Sequence, residues 1–168
     1  EFDYVIVGGG SAGCVLAARL SEDPHQRVCL LEAGKPDDSV LIHTPAGAAV
    51  MVPFKLHNWG FETVPQPSLH GRRGYQPRGK TLGGSSSTNA MVYIRGRASD
   101  YDRWATPLDA GGFGCSGWSW NEVLPYFIKS EHNERLAGPL HGQGGPLNVA
   151  DLRSPSPFGD RKSTRLNS

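Results

Sequence analysis

Near the start of the chain Tyr4-Val5-Ile6-Val7 form an unbroken apolar run, and three glycines follow at once. A short run of this kind suits a strand buried on both faces of a parallel sheet, so a strand is expected over Asp3–Val7. From Ser11 to about Glu22 the spacing changes to that of a helix. Val15, Leu16 and Leu20 share one face, small Ala12, Ala17 and Ala18 permit close packing, and Asp23-Pro24 ends it. A second apolar run, Val28–Leu31, completes a right-handed βαβ crossover.

After Gly34 the alternation stops. Between Lys35 and Gln76 the residues Pro36, Pro45, Pro53, Pro65 and Pro67 interrupt every candidate element, and Phe61–Val64 alone reads as a short strand. Farther on, Ser99–Trp104 reads as a short helix and Trp118 to about His132 as an amphipathic one. In the latter, Trp120, Val123, Leu124, Phe127 and Ile128 recur at helical spacing, and Ser119-x-x-Glu122 is a capping box. Pro125 either kinks this helix or marks its first turn. The stripe reads as core packing. Leu147–Val149 closes a glycine-rich stretch as a short strand, whereas Asp160–Ser168 is polar and without periodicity. The class is α/β with long irregular insertions. A plain NAD-binding domain would continue at once with further β–α units. Here two parallel strands precede a long excursion, so the domain is incomplete and needs another strand from elsewhere.

The first glycine turn carries chemistry. Gly8, Gly10 and Gly13 are the glycines of G-x-G-x-x-G between an apolar strand and a helix, and Glu32 ends the second strand. The first glycine permits the sharp turn, the second lets backbone approach a pyrophosphate, and the third lets the helix lie close on the strand. Phosphates then meet the free N–H groups and positive end of the helix. A carboxylate at Glu32 accepts from ribose hydroxyls and would repel a 2′-phosphate, which argues against NADP. The motif alone leaves NAD and FAD open.

A second glycine-rich stretch runs from Gly79 through Met91: G-K-T-L-G-G-S-S-S-T-N-A-M. Its small and hydroxylated residues lead into a helix-competent run, Asn89–Ile94, and suit a loop whose N–H groups face an anion or a polar ring edge. A flexible linker is disfavoured, because Leu82, Met91, Val92 and Ile94 anchor both flanks.

Composition narrows the picture. The chain has 168 residues, a net charge of +1 and 38% hydrophobic residues, which suits about one soluble domain with no bias toward nucleic acid. Arg72, Arg73, Arg78 and Lys80 form the one basic cluster, which reads as a solvated loop in preference to a phosphate contact, because a few scattered charges do not make a nucleic-acid stripe. The 22 glycines and 13 prolines predict long shaped loops. No apolar run suits a membrane helix, and the acidic N-terminal residue leads straight into a strand, unlike a signal peptide. Cys14, Cys29 and Cys115 lack metal spacing and read as buried small hydrophobes or unremarkable thiols, in keeping with a reducing cytoplasm. The six histidines are dispersed without a metal-binding pattern.

Two glycine loops about seventy residues apart, with G-K-T-L-G-G-S-S-S-T-N-A-M-V-Y-I-R-G and then D-Y-D-R-W, resemble the glucose-methanol-choline (GMC) flavin oxidoreductases. N-W-G-F-E-T-V-P-Q-P, G-W-S-W-N-E-V-L-P-Y-F, S-E-H-N-E-R and H-G-Q-G-G-P-L-N-V-A-D-L-R-S-P extend the likeness over residues 1 to about 158. It is greatest to the choline dehydrogenase-like branch. The off-pattern segment 159–168 falls outside the likeness and reads as non-native sequence or a solvated tail.

The resemblance implies the N-terminal part of a GMC-type, Rossmann-like FAD-binding domain. It implies FAD held by Gly8, Gly10, Ser11, Ala12 and Gly13 at the pyrophosphate and by Glu32 at the adenosine ribose. Thr81, Gly83, Gly84, Ser85 and Ser86, then Asn89, Ala90, Met91 and Val92, would lie along the pyrophosphate, ribityl chain and isoalloxazine. Some members link flavin to a histidine just before this Asn. Thr88 stands there, so non-covalent FAD is expected.

The implied reaction is hydride transfer from the CH–OH carbon of a small-molecule alcohol to flavin. Electrons pass on to a quinone, a dye-like carrier or oxygen. The implied catalytic histidine belongs to a C-terminal part, and none of the histidines here takes that role. The alternatives are a non-catalytic truncated fragment, and a lyase on the same fold. A cytoplasmic site is expected, with peripheral membrane association of the full-length protein left open.

Overall fold

The computed structural model describes residues 1–152, and the expected off-pattern segment 159–168 lies outside them. The chain divides into two compact units, Glu1–Val92 and a second beginning at Tyr93.

In the first unit, strand β1 (Tyr4–Val7) leads through the glycine turn into helix α1 (Ser11–Leu20), and the chain returns as β2 (Val28–Leu31). The two strands pair in parallel with Tyr4 opposite Val28 and Val7 opposite Leu31. Among the described residues this sheet has two strands. A parallel strand is normally covered on both faces, but here Val5 and Val7 are 57% and 84% exposed. The expectation of a strand buried on both faces is corrected. With no neighbouring strand or second helical layer among the described residues, Tyr4, Val5 and Val7 of β1, and with them Val15, Leu16 and Leu31, stay open to solvent, while Ile6 is half-buried. Met51 is the one buried hydrophobic side chain described.

The excursion after Gly34 is more ordered than its prolines suggest. Short helices α2 (Val40–His43) and α3 (Ala48–Met51) form, and Pro45 and Pro67 each open a 3₁₀ turn. At the first position of a helical turn the missing N–H would have no partner in any case, so proline starts these turns instead of breaking them. Strands β3 (Phe61–Glu62) and β4 (Tyr75–Gln76) pair antiparallel. Helix α4 (Ser85–Thr88) then occupies the second glycine-rich stretch. The helix expected over Asn89–Ile94 does not form. Asn89 Oδ1 accepts the Met91 N–H at 2.7 Å, a local turn that competes with the helical ladder, and Met91 adopts a left-handed φ of 56°.

The second unit contains helix α5 (Ala98–Ala105), helix α6 (Trp120–Ser130), and the parallel strands β5 (Glu131–Asn133) and β6 (Leu147–Val149). The Ser119–Glu122 capping box is present, with the Ser119 N–H donating to Glu122 at 3.0 Å. Pro125 lies inside α6 and not in its first turn. Its absent N–H leaves the carbonyl of Asn121, an exposed residue, for water. The stripe packs as expected. Trp120, Val123, Leu124, Phe127 and Ile128 are half-buried, and Tyr101 of α5 meets Trp120 and Phe127 at centroid separations of 5.6 and 5.7 Å. Asp102 on α5 accepts the Trp120 N–H at 2.9 Å, fixing the start of α6 against α5.

The same unit encloses one ionised carboxylate. Glu131 is fully buried and accepts from Asn133 Nδ2 at 2.9 Å and Gly142 N–H at 3.0 Å, beside His141 at 3.2 Å and in an ion pair with Arg95. Burial alone would raise its carboxyl. The donors at Asn133, Gly142 and His141 and the Arg95 charge outweigh that and lower it from an ordinary 4.5 to about 2.

Candidate functional site

The three motif glycines have three different geometric reasons. Gly8 has φ +99°, a conformation side chains rarely adopt, and this turns the chain out of β1. Gly13 is buried, and a Cβ there would lie 1.8 Å from the Gly8 carbonyl oxygen. Only a hydrogen lets α1 approach the turn so closely. Gly10 is the residue before α1, and a Cβ there would meet nothing within 4 Å. The space before it is open for a ligand. No side chain caps α1, so its first N–H groups are left without a side-chain acceptor.

Glu32 follows β2 and bends back over the turn. Its Oε2 accepts the Gly9 N–H at 2.6 Å and its Oε1 accepts the Gly34 N–H at 2.7 Å. The carboxylate is held in place while each oxygen retains acceptor capacity.

The second glycine loop is joined to the first, backbone to backbone. The Gly83 N–H donates to Gly9 O at 2.6 Å, and Gly10 and Gly83 form a parallel bridge. A Cβ on Gly84, whose φ is +56°, would lie 2.9 Å from Gly10 Cα. Fully buried Thr81 donates its hydroxyl to Lys35 O at 2.9 Å, and the Leu82 N–H donates to the same oxygen at 3.0 Å.

This clasp shapes an open groove of about 910 Å³. Gly8, Gly10, Ser11, Ala12 and Gly13 line it from the first loop, Glu32 from β2, and Gly84 and Ser85 from the second loop. Thr81 and Gly83 anchor that loop from behind. Asn89 and Ala90 instead line an adjoining cleft of about 670 Å³ with Thr88, and this cleft shares Arg78 and Ser85 with the groove. Ser86, Asn89 and Met91 face a smaller cavity of about 200 Å³. Val92 is 79% exposed and lines none of the three.

Trp59 and Arg78 also line the groove, outside the residues expected to hold the cofactor. Trp59 belongs to the N-W-G-F motif; Arg78 is exposed, as a solvated basic loop implies, and at the same time borders the groove. Cys14 is half-buried where a buried thiol is expected, and its thiol donates to Gly9 O at 3.2 Å, the oxygen that also receives Gly83. No histidine lines the groove or the adjoining cleft. The arrangement can hold a nucleoside diphosphate. His43 and Asp37 line the smaller cavity that Ser86, Asn89 and Met91 face.

The sequence profile described as GMC oxidoreductase matches residues 2–160. The chain belongs to this family. It is 53% identical over 158 residues to an alcohol dehydrogenase [acceptor] of Pseudomonas putida, covering 94% of this chain and 28% of that protein. It is 49% identical over 152 residues to an oxygen-dependent choline dehydrogenase of Xanthomonas axonopodis pv. citri, covering 89% and 26% respectively. Its fold superposes on a FAD-dependent oxidoreductase from Chaetomium thermophilum with a TM-score of 0.80 at 33% identity, over 99% of this chain and 29% of that one. This GMC chain therefore spans little more than a quarter of these relatives' length and is the N-terminal part of their α/β fold. No helix among the described residues is long and apolar enough to cross a membrane.

Proposed function

We propose that this chain is the FAD-binding part of an oxidoreductase acting on the CH–OH groups of alcohols, with its flavin held non-covalently. The observation that carries this reading is the clasp of the two glycine loops around a groove with Glu32 at one side. In this reading Gly8, Gly10, Ser11, Ala12 and Gly13 receive the pyrophosphate on backbone N–H groups and the positive end of α1. Glu32 accepts from the adenosine ribose, which its fixed position favours. Thr81, Gly83 and Gly84 hold the second loop in register, Ser85 and Ser86 follow the ribityl chain, and Asn89, Ala90, Met91 and Val92 meet the isoalloxazine. The open space at Gly10 and the adjoining cleft at Ser85 support a ligand that extends from one loop past the other.

When bound, FAD supplies the redox chemistry, accepting hydride from the alcohol carbon. The residues of this chain position it and exclude a 2′-phosphate. Thr88, 8% exposed behind the second loop, has a hydroxyl that forms no covalent flavin bond of the histidyl kind. A small alcohol as substrate, and a quinone, dye-like carrier or oxygen as electron acceptor, follow from the likeness to dehydrogenases of alcohols and choline. The domain portion is assigned to residues 1–158 from the extent of the motif likeness, and a cytoplasmic location, with peripheral membrane association of the full-length protein left open, rests on the cysteine content.

A second reading concerns the 168-residue chain by itself: a cofactor-binding fragment without turnover. The exposed faces of β1 and α1 and the absence of histidine from the groove favour it.

Titration of the chain with FAD, NAD and NADP, followed by flavin fluorescence and by displacement, tests the proposal. FAD is expected to bind in preference to both nicotinamide dinucleotides. Equal or tighter binding of NADP would sink the assignment of Glu32 to the ribose.

A further inference from the structure

The groove is lined by one carboxylate, Glu32, and one cation, Arg78. This polarity matches a dinucleotide, which has hydroxylated sugars on either side of a doubly negative bridge. Neutral N–H groups of the glycine turn offset part of that charge, and a guanidinium beside the groove would offset more of it. We infer that Arg78 is the counter-charge for the diphosphate, an inference that rests on the groove being the dinucleotide site.

Three observations single it out. The first is its availability. The guanidinium has five N–H donors; Nη1 donates to Pro77 O at 2.6 Å, and no carboxylate pairs with Arg78 among the described residues. A planar fork with donors to spare suits phosphate oxygens.

The second is its fixed backbone. Arg78 O accepts the Trp59 N–H at 2.9 Å, the Arg78 N–H donates to Asn58 Oδ1 at 3.3 Å, and the next residue, Gly79, bridges to Asn58. The side chain therefore springs from a segment just after β4 whose backbone is held on both sides by Asn58 and Trp59.

The third is its place. Arg78 and Ser85 are common to the groove and the adjoining cleft, where a ligand running from Glu32 past the glycine turn has its middle. The other members of the basic cluster lie elsewhere. Arg72 and Arg73 are exposed and line neither space, and Lys80 sits 4.4 Å from the Trp59 ring centroid on the side of a separate cleft.

The test is titration of the 168-residue chain and its variants with FAD, ADP and adenosine, at low and raised salt. Arg78→Met should weaken FAD and ADP by about ten- to a hundredfold and leave adenosine unchanged, because adenosine lacks the diphosphate. Arg73→Met makes the same change in net charge and should leave all three unchanged. Raised salt should weaken FAD for the unaltered chain more than for Arg78→Met. If Arg78→Met loses its fold by circular dichroism, Arg78→Lys decides, since it keeps the charge but not the fork and should weaken FAD and ADP but spare adenosine. Unchanged FAD and ADP affinity in a folded Arg78 variant overturns the inference and leaves the groove assignment standing. Failure of the unaltered chain to bind FAD and ADP overturns both.

Discussion

Glu32 and Gly9 lie on opposite sides of a whole helix in the sequence, yet the carboxylate Oε2 accepts the Gly9 N–H at 2.6 Å. Its Oε1 takes the Gly34 N–H at 2.7 Å, so one side chain fixes both the turn after β1 and the turn after β2. Replacing it should disturb shape and recognition together. Glu32→Ala is expected to lower stability by about 1–3 kcal/mol, because two N–H groups lose a charged acceptor. It should also weaken FAD about tenfold or more. Urea unfolding measures the first and flavin titration the second; a variant as stable as the parent contradicts the pinning role.

Gly10 and Gly13 should separate the two effects. Gly13→Ala places a methyl group 1.8 Å from the Gly8 carbonyl oxygen, and forcing α1 away should cost about 1–3 kcal/mol. Gly10→Ala has nothing within 4 Å and a φ of −78°, so the fold should tolerate it while the approach of a pyrophosphate is blocked. Melting temperature and FAD affinity, measured on both variants, should move in opposite proportion. Equal loss of stability in the two would refute the division of roles.

Acid should act on the second unit through Glu131. Its carboxyl titrates near about 2 in the folded chain against an ordinary 4.5, so between those values the unfolded chain binds more protons. The stabilisation is therefore present above about pH 4.5 and is lost as the pH falls toward about 2. Glu131→Gln should be less stable near neutrality, since Arg95 then lacks its partner, but should lose less on acidification. Urea midpoints across that range read the difference in slope, and parallel slopes would exclude Glu131 as the responsible group.

Flavin and turnover give a fourth expectation. With Thr88 at the position before Asn89, flavin should be released when the FAD-loaded chain is precipitated with acid; colour retained in the pellet would mean a covalent link. The 168-residue chain with FAD should not reduce a dye in the presence of an alcohol, since no histidine lines its groove. Turnover by this chain alone would show that its own residues supply the base.

What local pattern encodes, the sequence made visible. The apolar run at β1, the glycine turn and the α6 stripe each depend on neighbours within a few residues, and each appears where its spacing places it. Contacts across long separations were less legible. Nothing in the spacing of Gly9 and Gly83 announces their hydrogen bond, and nothing around Arg78 distinguishes it from Arg72 and Arg73 until the chain folds back past Trp59. Asn89 shows a third case. Its neighbours suit a helix, but its side chain offers the Met91 N–H a nearer acceptor, and the local hydrogen bond prevails. At β1 the pattern was right about the strand, and the exposure of Val5 and Val7 depends on what packs beside it.

The bridge between Lys35 and Thr81 means that the chain leaves the groove and comes back to the point of departure. Everything between is a closed detour, attached at its two ends and touching the groove through Trp59, Arg78 and Gly79. Closing a flexible loop twice as long costs only about 0.6 kcal/mol more. Insertions and deletions at the far end of the detour, around Ser68–Gly71, can therefore accumulate with little consequence for cofactor binding. In this scaffold, length can drift where the chain is free to lengthen, while residues 8–13, 32–35 and 79–85 must keep their spacing.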